Sequence, residues 1–250
     1  MSKILFLFAM CSLLFLAPAQ SQLTSGSITM GITDFGMPGA DEEGMGDQLG
    51  GMMKNMTMTI HFSPDKQVTD INMMGMMNMR QHFNDGVMTQ YMDMMGQKIK
   101  MVIPTGTEAF KELGLSQDEI ADAYNIEYDK SATKKIAGYD CYQATITMDL
   151  SKFDTTGDIP AGMSNMDMTM YVTDDIKMDN FNLQQLPGVK LDGTPLSMTI
   201  DMGMMKMTYE ATDIQTSVDP SVFEAPEGDY KEMSMEELQQ MGVNPGSFGF

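Results

Sequence analysis

The chain has 250 residues, 42% of them hydrophobic, and a formal net charge of −20. That length suits one domain, and the apolar share is enough for a sizeable core. The acidity repels phosphate backbones and anionic lipid surfaces, which excludes nucleic-acid binding.

Residues 1–19 read as a secretory signal peptide. Lys3 gives the positive start, residues 4–16 the apolar stretch, and Ala17, Pro18 and Ala19 the small residues before cleavage at Gln20. The expected location is therefore periplasmic or secreted. Cys11 lies inside the apolar stretch, but Met10 before it is not the small residue that a lipoprotein signal requires. No later run approaches the ~18 apolar residues of a membrane span, so no transmembrane segment is expected. Cleavage leaves Cys141 without an intramolecular disulfide partner. Its plain reading is a small buried hydrophobe; a reactive thiol or an intermolecular partner is the alternative.

Residues 28–35 predict a first strand. Residues 36–51 follow as a Gly-rich loop carrying Asp41, Glu42, Glu43 and Asp47. Weak Ca²⁺ binding is conceivable there, but the spacing is not that of an EF-hand and a solvated loop is the simpler reading. Gly44 and Gly46 do not open a dinucleotide fingerprint, since Leu49 stands where its third Gly is required.

Residues 52–62 alternate, with Met52, Met56, Met58, Ile60 and Phe62 on one face. That is the period of a strand buried on one side. Ser63 to Lys66 mark a turn. Residues 68–83 predict a strand or pair of strands with Ile71, Met73, Met77, Met79 and Phe83 aligned and Gly75 as a bulge. Asn84-Asp85-Gly86 is a hairpin signal. Strands are then expected over 87–95 and 98–103, the second aligning Ile99, Met101 and Ile103.

Residues 104–125 change character. A short helix is predicted over 107–113, and Ser116 with Glu119 forms a capping box for a second. Strand patterns return over 133–150, where Gly138 reads as a bulge, and over 166–172, 195–202 and 205–211. Ser234 and Glu237 form another capping box, which predicts a last short helix over 235–241.

Together these elements predict a mainly β (α+β) fold, a strongly curved antiparallel sheet with one oily face and short helices on its concave side. One domain spans 20–230, followed by a tail of 231–250.

At residues 130–145 the chain reads K-S-A-T-K-K-I-A-G-Y-D-C-Y-Q-A-T. The stretches M-Y-V-T-D-D-I (170–176), G-T-P-L-S-M (193–198) and V-D-P-S-V-F-E-A-P-E-G-D-Y (218–230) follow in order. This series resembles an uncharacterised secreted family of gram-negative bacteria, similar in fold to the lipoprotein carriers LolA and LolB, over residues 27–230. The resemblance implies a half-barrel whose helices plug its concave side. In LolA that concavity holds acyl chains, and an arginine on an early strand helps close the lid. Arg80, the single Arg of this chain, lies on an early strand, yet alternation puts it beside Asn78 and His82 on the polar face. The lid role is therefore not carried onto it. The resemblance supplies no catalytic residues.

Enzyme chemistry finds no motif. The two His, His61 and His82, have no metalloprotease spacing, and neither a nucleophile elbow nor a phosphate loop is present. The chain is read as non-enzymatic.

What demands explanation is methionine, which occurs 33 times. Ordering a Met side chain costs about 1.5–2 kcal/mol, against about 0.5–1 for Leu. A rigid core therefore favours Leu, whereas a surface that reshapes around variable chains favours the flexible, polarisable thioether. One reading is thus a cavity for an acyl chain or lipidated segment, lined by Met56, Met58, Met73, Met77, Met101, Met168, Met198 and Met207. Its partner is a lipid or lipoprotein, and it needs no cofactor. The alternative is copper. Soft thioethers select Cu(I), and Met-x-Met pairs put two sulfurs on one strand face. Met74 and Met76 fall off the apolar register and are the first candidate ligands, with His61 or His82 adding an imidazole. A reversible oxidation sink is a third reading, and Met as mere core filler the plainest.

Overall fold

The computed structural model describes residues 22–36, 50–51, 53–73, 77–84, 87–94, 96–104, 122–153, 165–178, 191–201, 206–234 and 237. They form β1 (Gly26–Gly36), β2 (Met56–Phe62), β3 (Gln67–Met73), β4 (Met77–Asn84), β5 (Val87–Met94), β6 (Gln97–Pro104), β7 (Tyr124–Ile136), β8 (Tyr139–Asp149), β9 (Asn165–Thr173), β10 (Thr194–Asp201), β11 (Lys206–Gln215) and β12 (Lys231–Glu232). All twelve belong to one sheet, ordered β12-β6-β5-β4-β3-β2-β1-β11-β10-β9-β8-β7. The sheet is open and curled. Its pairs are antiparallel except β12 with β6.

The topology follows from short connections. Asn84 pairs with Val87, which leaves Asp85 and Gly86 as a two-residue link between β4 and β5. Met94 pairs with Gln97, and Gly96 at φ 87 closes that turn while its N–H donates to Asp93 Oδ1 at 3.0 Å. Met73 pairs with Met77, so Met74, Gly75 and Met76 connect β3 to β4. Gly75, read from the sequence as a bulge, lies outside the described residues.

Two expectations change. Residues 133–150 are not one strand but the second half of a long hairpin. Ile136 pairs with Tyr139, and Ala137 (φ 47) and Gly138 (φ 92) make the turn. Positive φ at both central residues is the turn geometry that matches strand twist, so Gly138 is a turn residue. Gly50, Gly51 and Met53 are helical rather than extended, Lys54 N–H donates to the Gly50 carbonyl at 3.0 Å, and β2 begins at Met56.

The predicted helix over 107–113, residues 116–121 of the one that Ser116 caps, the signal peptide and most of the loop 36–51 lie outside the described residues, as does most of the last helix. At that helix's start the capping box is formed. Glu237 N–H donates to Ser234 Oγ at 3.2 Å, and Ser234 N–H to Glu237 Oε2 at 2.8 Å. Residues 231–233, assigned to the tail, are part of the sheet and its core. β12 pairs with β6, and Met233 is buried.

Cross-strand register puts one apolar side chain beside the next from β6 to β7. Three buried clusters lie along it. One holds Ala144, Ile146, Met168 and Met170. A second holds Ile28, Ile60, Phe62, Ile136 and Cys141. The third holds Met77, Met79, Met92, Ile99, Met101 and Met233.

Candidate functional site

Each face of the sheet offers one candidate. On the apolar face, all eight predicted ligand-lining residues share one side. Met56, Met73 and Met77 follow one another across β2, β3 and β4, and Met94 of β5 continues the row. Met58 lies in the next row, and Met101 further along on β6. Met168, Ile200 and Met207 form a row across β9, β10 and β11, beside the row of Met170, Met198 and Tyr209. Exposure separates them. Met168 is fully buried and Met77 and Met101 nearly so, whereas Met56, Met58, Met73, Met198 and Met207 are half-buried. Packing holds the first group in place; the second keeps surface for a partner.

The apolar face also carries buried polar side chains: Gln67, Thr69, Gln81 and Gln90. Gln81 Nε2–H donates to Met79 Sδ at 3.1 Å, a weak bond that satisfies an amide in a sulfur-rich setting.

The opposite face holds an ion pair. Asp70 on β3 and Arg80 on β4 are register partners. Arg80 donates through Nε to Asp70 Oδ1 at 2.6 Å and through Nη2 to Oδ2 at 2.7 Å. His61 Nε2 lies 3.4 Å from the same Oδ2. Burial pushes the Asp70 carboxyl upward, but hydrogen bonds from Arg80 and then His61 outweigh it and hold the group at about 2. The same pair raises the Arg80 pKa, its bond to Asp70 outweighing burial. His82 is pushed down by burial first and by the Arg80 charge second.

A strap crosses this face. Residues 216–230 leave β11, form a 3₁₀ turn at Pro220–Phe223 capped by Asp219, and return to the β6 edge. The Tyr230 ring meets Tyr91 edge-on at 5.1 Å, and Tyr91 meets His82 at 5.4 Å. Lys98 Nζ sits 5.5 Å above Tyr230. A side chain on Gly228 (φ +132) would strike that ammonium at 2.6 Å. Between strap and sheet lies a cavity of about 330 Å³, lined by Thr57, Thr59, Asn72, Asn78, Asp93 and the ion pair. Its chemistry is that of a polar recess with paired charges, suited to holding a small polar group. The Arg80–Asp70 pair faces this strap and not the methionines, so Arg80 has no lid role over the apolar face.

Of the predicted copper ligands, the described residues include only His61 and His82. His61 and His82 flank Val68 on the face opposite Met56, Met58, Met73 and Met77. Met74 and Met76 lie outside the described residues. The pair Met73–Met77 that brackets them is five residues along the strands from Val68–His82, roughly 17 Å at strand rise. Cys141 is buried, and burial raises its thiol pKa to about 11.

Sequence reasoning placed Arg80 correctly but missed its partner. The signal was available: Asp70 and Arg80 are equidistant from the connection between Met73 and Met77. The strap carried no periodic signal, and its contacts with Tyr91 and Lys98 are non-local.

No family model matches the chain, and no curated protein matches it at a significant level. Among solved structures, the chain is similar to the lipoprotein LppX of Mycobacterium tuberculosis at 11% identity, covering 79% of this chain and 89% of that one, with a TM-score of 0.35. It is also similar to LprF of Mycobacterium bovis at 9% identity, covering 84% and 91%, with a TM-score of 0.33. Superposition at this level assigns neither a ligand nor a residue role to the chain.

Proposed function

We propose that this protein is a non-enzymatic binding protein of the cell envelope whose methionine-rich face takes an acyl chain or lipidated segment. One observation carries the reading. Half-buried Met56, Met58, Met73, Met198 and Met207 share a single apolar face with fully packed residues such as Met168. Partly ordered thioethers over a rigid floor form a surface that remoulds around chains of different length. The signal-peptide reading supports the envelope location.

The test uses delipidated protein and a fluorescent fatty acid. Saturable uptake, with a matching adduct in native mass spectrometry, is the expected result. Replacing Met198 and Met207 by Gln weakens uptake by about tenfold, since each change sets a polar amide against the chain. Absence of both uptake and adduct overturns the reading.

A further inference from the structure

Methionine is not spread evenly over the apolar face. Across β2 to β5, one row reads Met56, Met73, Met77, Met94, and the next reads Met58, Ile71, Met79, Met92. Seven of these eight positions are Met. The equivalent block across β8 to β11 reads Ile146, Met168, Ile200, Met207 and then Ala144, Met170, Met198, Tyr209, with four Met in eight. Core filling alone gives the second, mixed pattern, in which differently shaped side chains interlock. It does not give a sheet of sulfur.

The two rows also differ from each other. Met79 and Met92 are buried, and the Met79 sulfur already accepts the Gln81 amide. In the outer row Met56, Met73 and Met94 are half-buried, and this row lies at the sheet end where β3 turns to β4 and β5 to β6. Neighbours in such a row have Cβ atoms roughly 4.5–5.5 Å apart. A methionine side chain has three rotatable bonds, so the half-buried Met73 and Met94 can swing their sulfurs towards that of the packed Met77 on the strand between them.

We propose that Met73, Met77 and Met94 form an all-thioether site for a soft monovalent cation, Cu(I) by its chemistry. Thioether sulfur is neutral and polarisable, so it discriminates against hard cations and needs no deprotonation to bind. The chain's net charge of −20 raises the local concentration of any cation. The site uses neither histidine, and it shares Met73 and Met77 with the acyl-chain reading, which rests also on Met56, Met58, Met198 and Met207.

The test is an anaerobic titration of the intact protein with Cu(I) held by a colorimetric chelator. The protein is expected to withdraw one equivalent. The triple variant Met73→Leu, Met77→Leu, Met94→Leu keeps apolar volume and is expected to lose at least about tenfold in affinity. The control Met166→Leu, Met168→Leu, Met170→Leu retains it. A second measurement needs no variant: one equivalent of Ag(I) slows peroxide oxidation of Met73, Met77 and Met94 in the native chain, read by peptide mass spectrometry. No withdrawal of Cu(I), equal loss in both triple variants, or unchanged oxidation rates at these three residues overturns the proposal. Fatty-acid uptake by the variant Met198→Gln, Met207→Gln, which leaves the three sulfurs in place, reads the acyl-chain hypothesis separately.

Discussion

Asp70 and Arg80 face each other across β3 and β4 with both carboxylate oxygens engaged, Nε to Oδ1 at 2.6 Å and Nη2 to Oδ2 at 2.7 Å. A bidentate fork fixes direction as well as distance. It pins the register of the β3–β4 hairpin on the polar face, while Ile71–Met79 and Met73–Met77 pin it on the other. A slip of one residue breaks both sets at once.

This pair sets an acid-sensitive part of the stability. A carboxylate held at about 2, against its ordinary 3.8, binds fewer protons folded than unfolded. Its contribution is complete above about pH 4 and is lost as the pH falls towards 2. Asp70→Ala is expected to lower stability at neutral pH by about 1–2 kcal/mol, because it strands a half-buried guanidinium that water still reaches. Urea unfolding between pH 2 and 7 checks both points. A variant as pH-sensitive as the parent across pH 2–4 removes Asp70 as the source.

The β7–β8 turn places alanine where glycine or asparagine is at ease. Ala137 has φ 47, a left-handed conformation that an L side chain adopts at a cost. Ala137→Gly or Ala137→Asn is expected to stabilise the protein by about 0.5–1 kcal/mol. Gly138→Ala, at φ 92, is expected to act in the opposite direction. The readout is the urea midpoint at unchanged m-value, and a fall in midpoint for Ala137→Asn contradicts the turn assignment.

Cys141 is expected to be inert in the native protein. It is 1% exposed, its Sγ–H donates to the Tyr139 carbonyl at 3.6 Å, and burial holds its pKa at about 11. Iodoacetamide at neutral pH should leave Cys141 unlabelled until denaturant is added, as followed by peptide mass spectrometry. Labelling at the rate of a free thiol without denaturant contradicts the packing.

Met233 anchors the strap. Its side chain is 6% exposed in the cluster with Met77, Met79, Met92, Ile99 and Met101, and its N–H donates to the Lys100 carbonyl at 3.0 Å. Met233→Ala is expected to cost about 2 kcal/mol locally, which is roughly thirtyfold in the opening equilibrium of this segment. Hydrogen exchange of the Met233 amide reports it. Unchanged exchange shows that the pairing of β12 alone holds the strap.

The half of the fold legible in the sequence is the half whose strands bury one side. β2 to β6 were legible because most of their Met, Ile and Phe face one way and His61, Asp70, Asn72, Asn78, Arg80 and His82 the other, although Gln67, Thr69, Gln81 and Gln90 interrupt the apolar side. β7 was missed as a strand of its own: Tyr124, Ile126 and Tyr128 alternate with exposed Asn125, Glu127 and Asp129, but the pattern stops there, the register jumps between Asp129 and Thr133, and most of the remaining strand is exposed. Its turn, Ala137-Gly138, lacks the Asp-Gly signature that announced β4–β5. The polar recess was half legible for a related reason. Arg80 and Asp70 follow from hairpin arithmetic, but Tyr230 reaches Tyr91 only through a long return that no periodicity encodes.

β12 has two residues and runs parallel to β6, yet it decides where the ladder ends. An open antiparallel sheet has two margins, and each is a template for a foreign strand. At one margin Lys231 and Glu232 occupy the β6 backbone, with Glu232 tied to Lys100 at 3.2 Å. This clip is too short to serve as a template itself. At the other margin β7 presents Glu127, Asp129, Lys130, Lys134 and Lys135, with Lys134 bridged to Glu210. Charges on a margin penalise a like neighbour more than its hydrogen bonds reward it. The twelve-stranded sheet of the described residues is thus blunted by a stopper on one side and by charge on the other, two devices that discourage a foreign strand from extending the ladder.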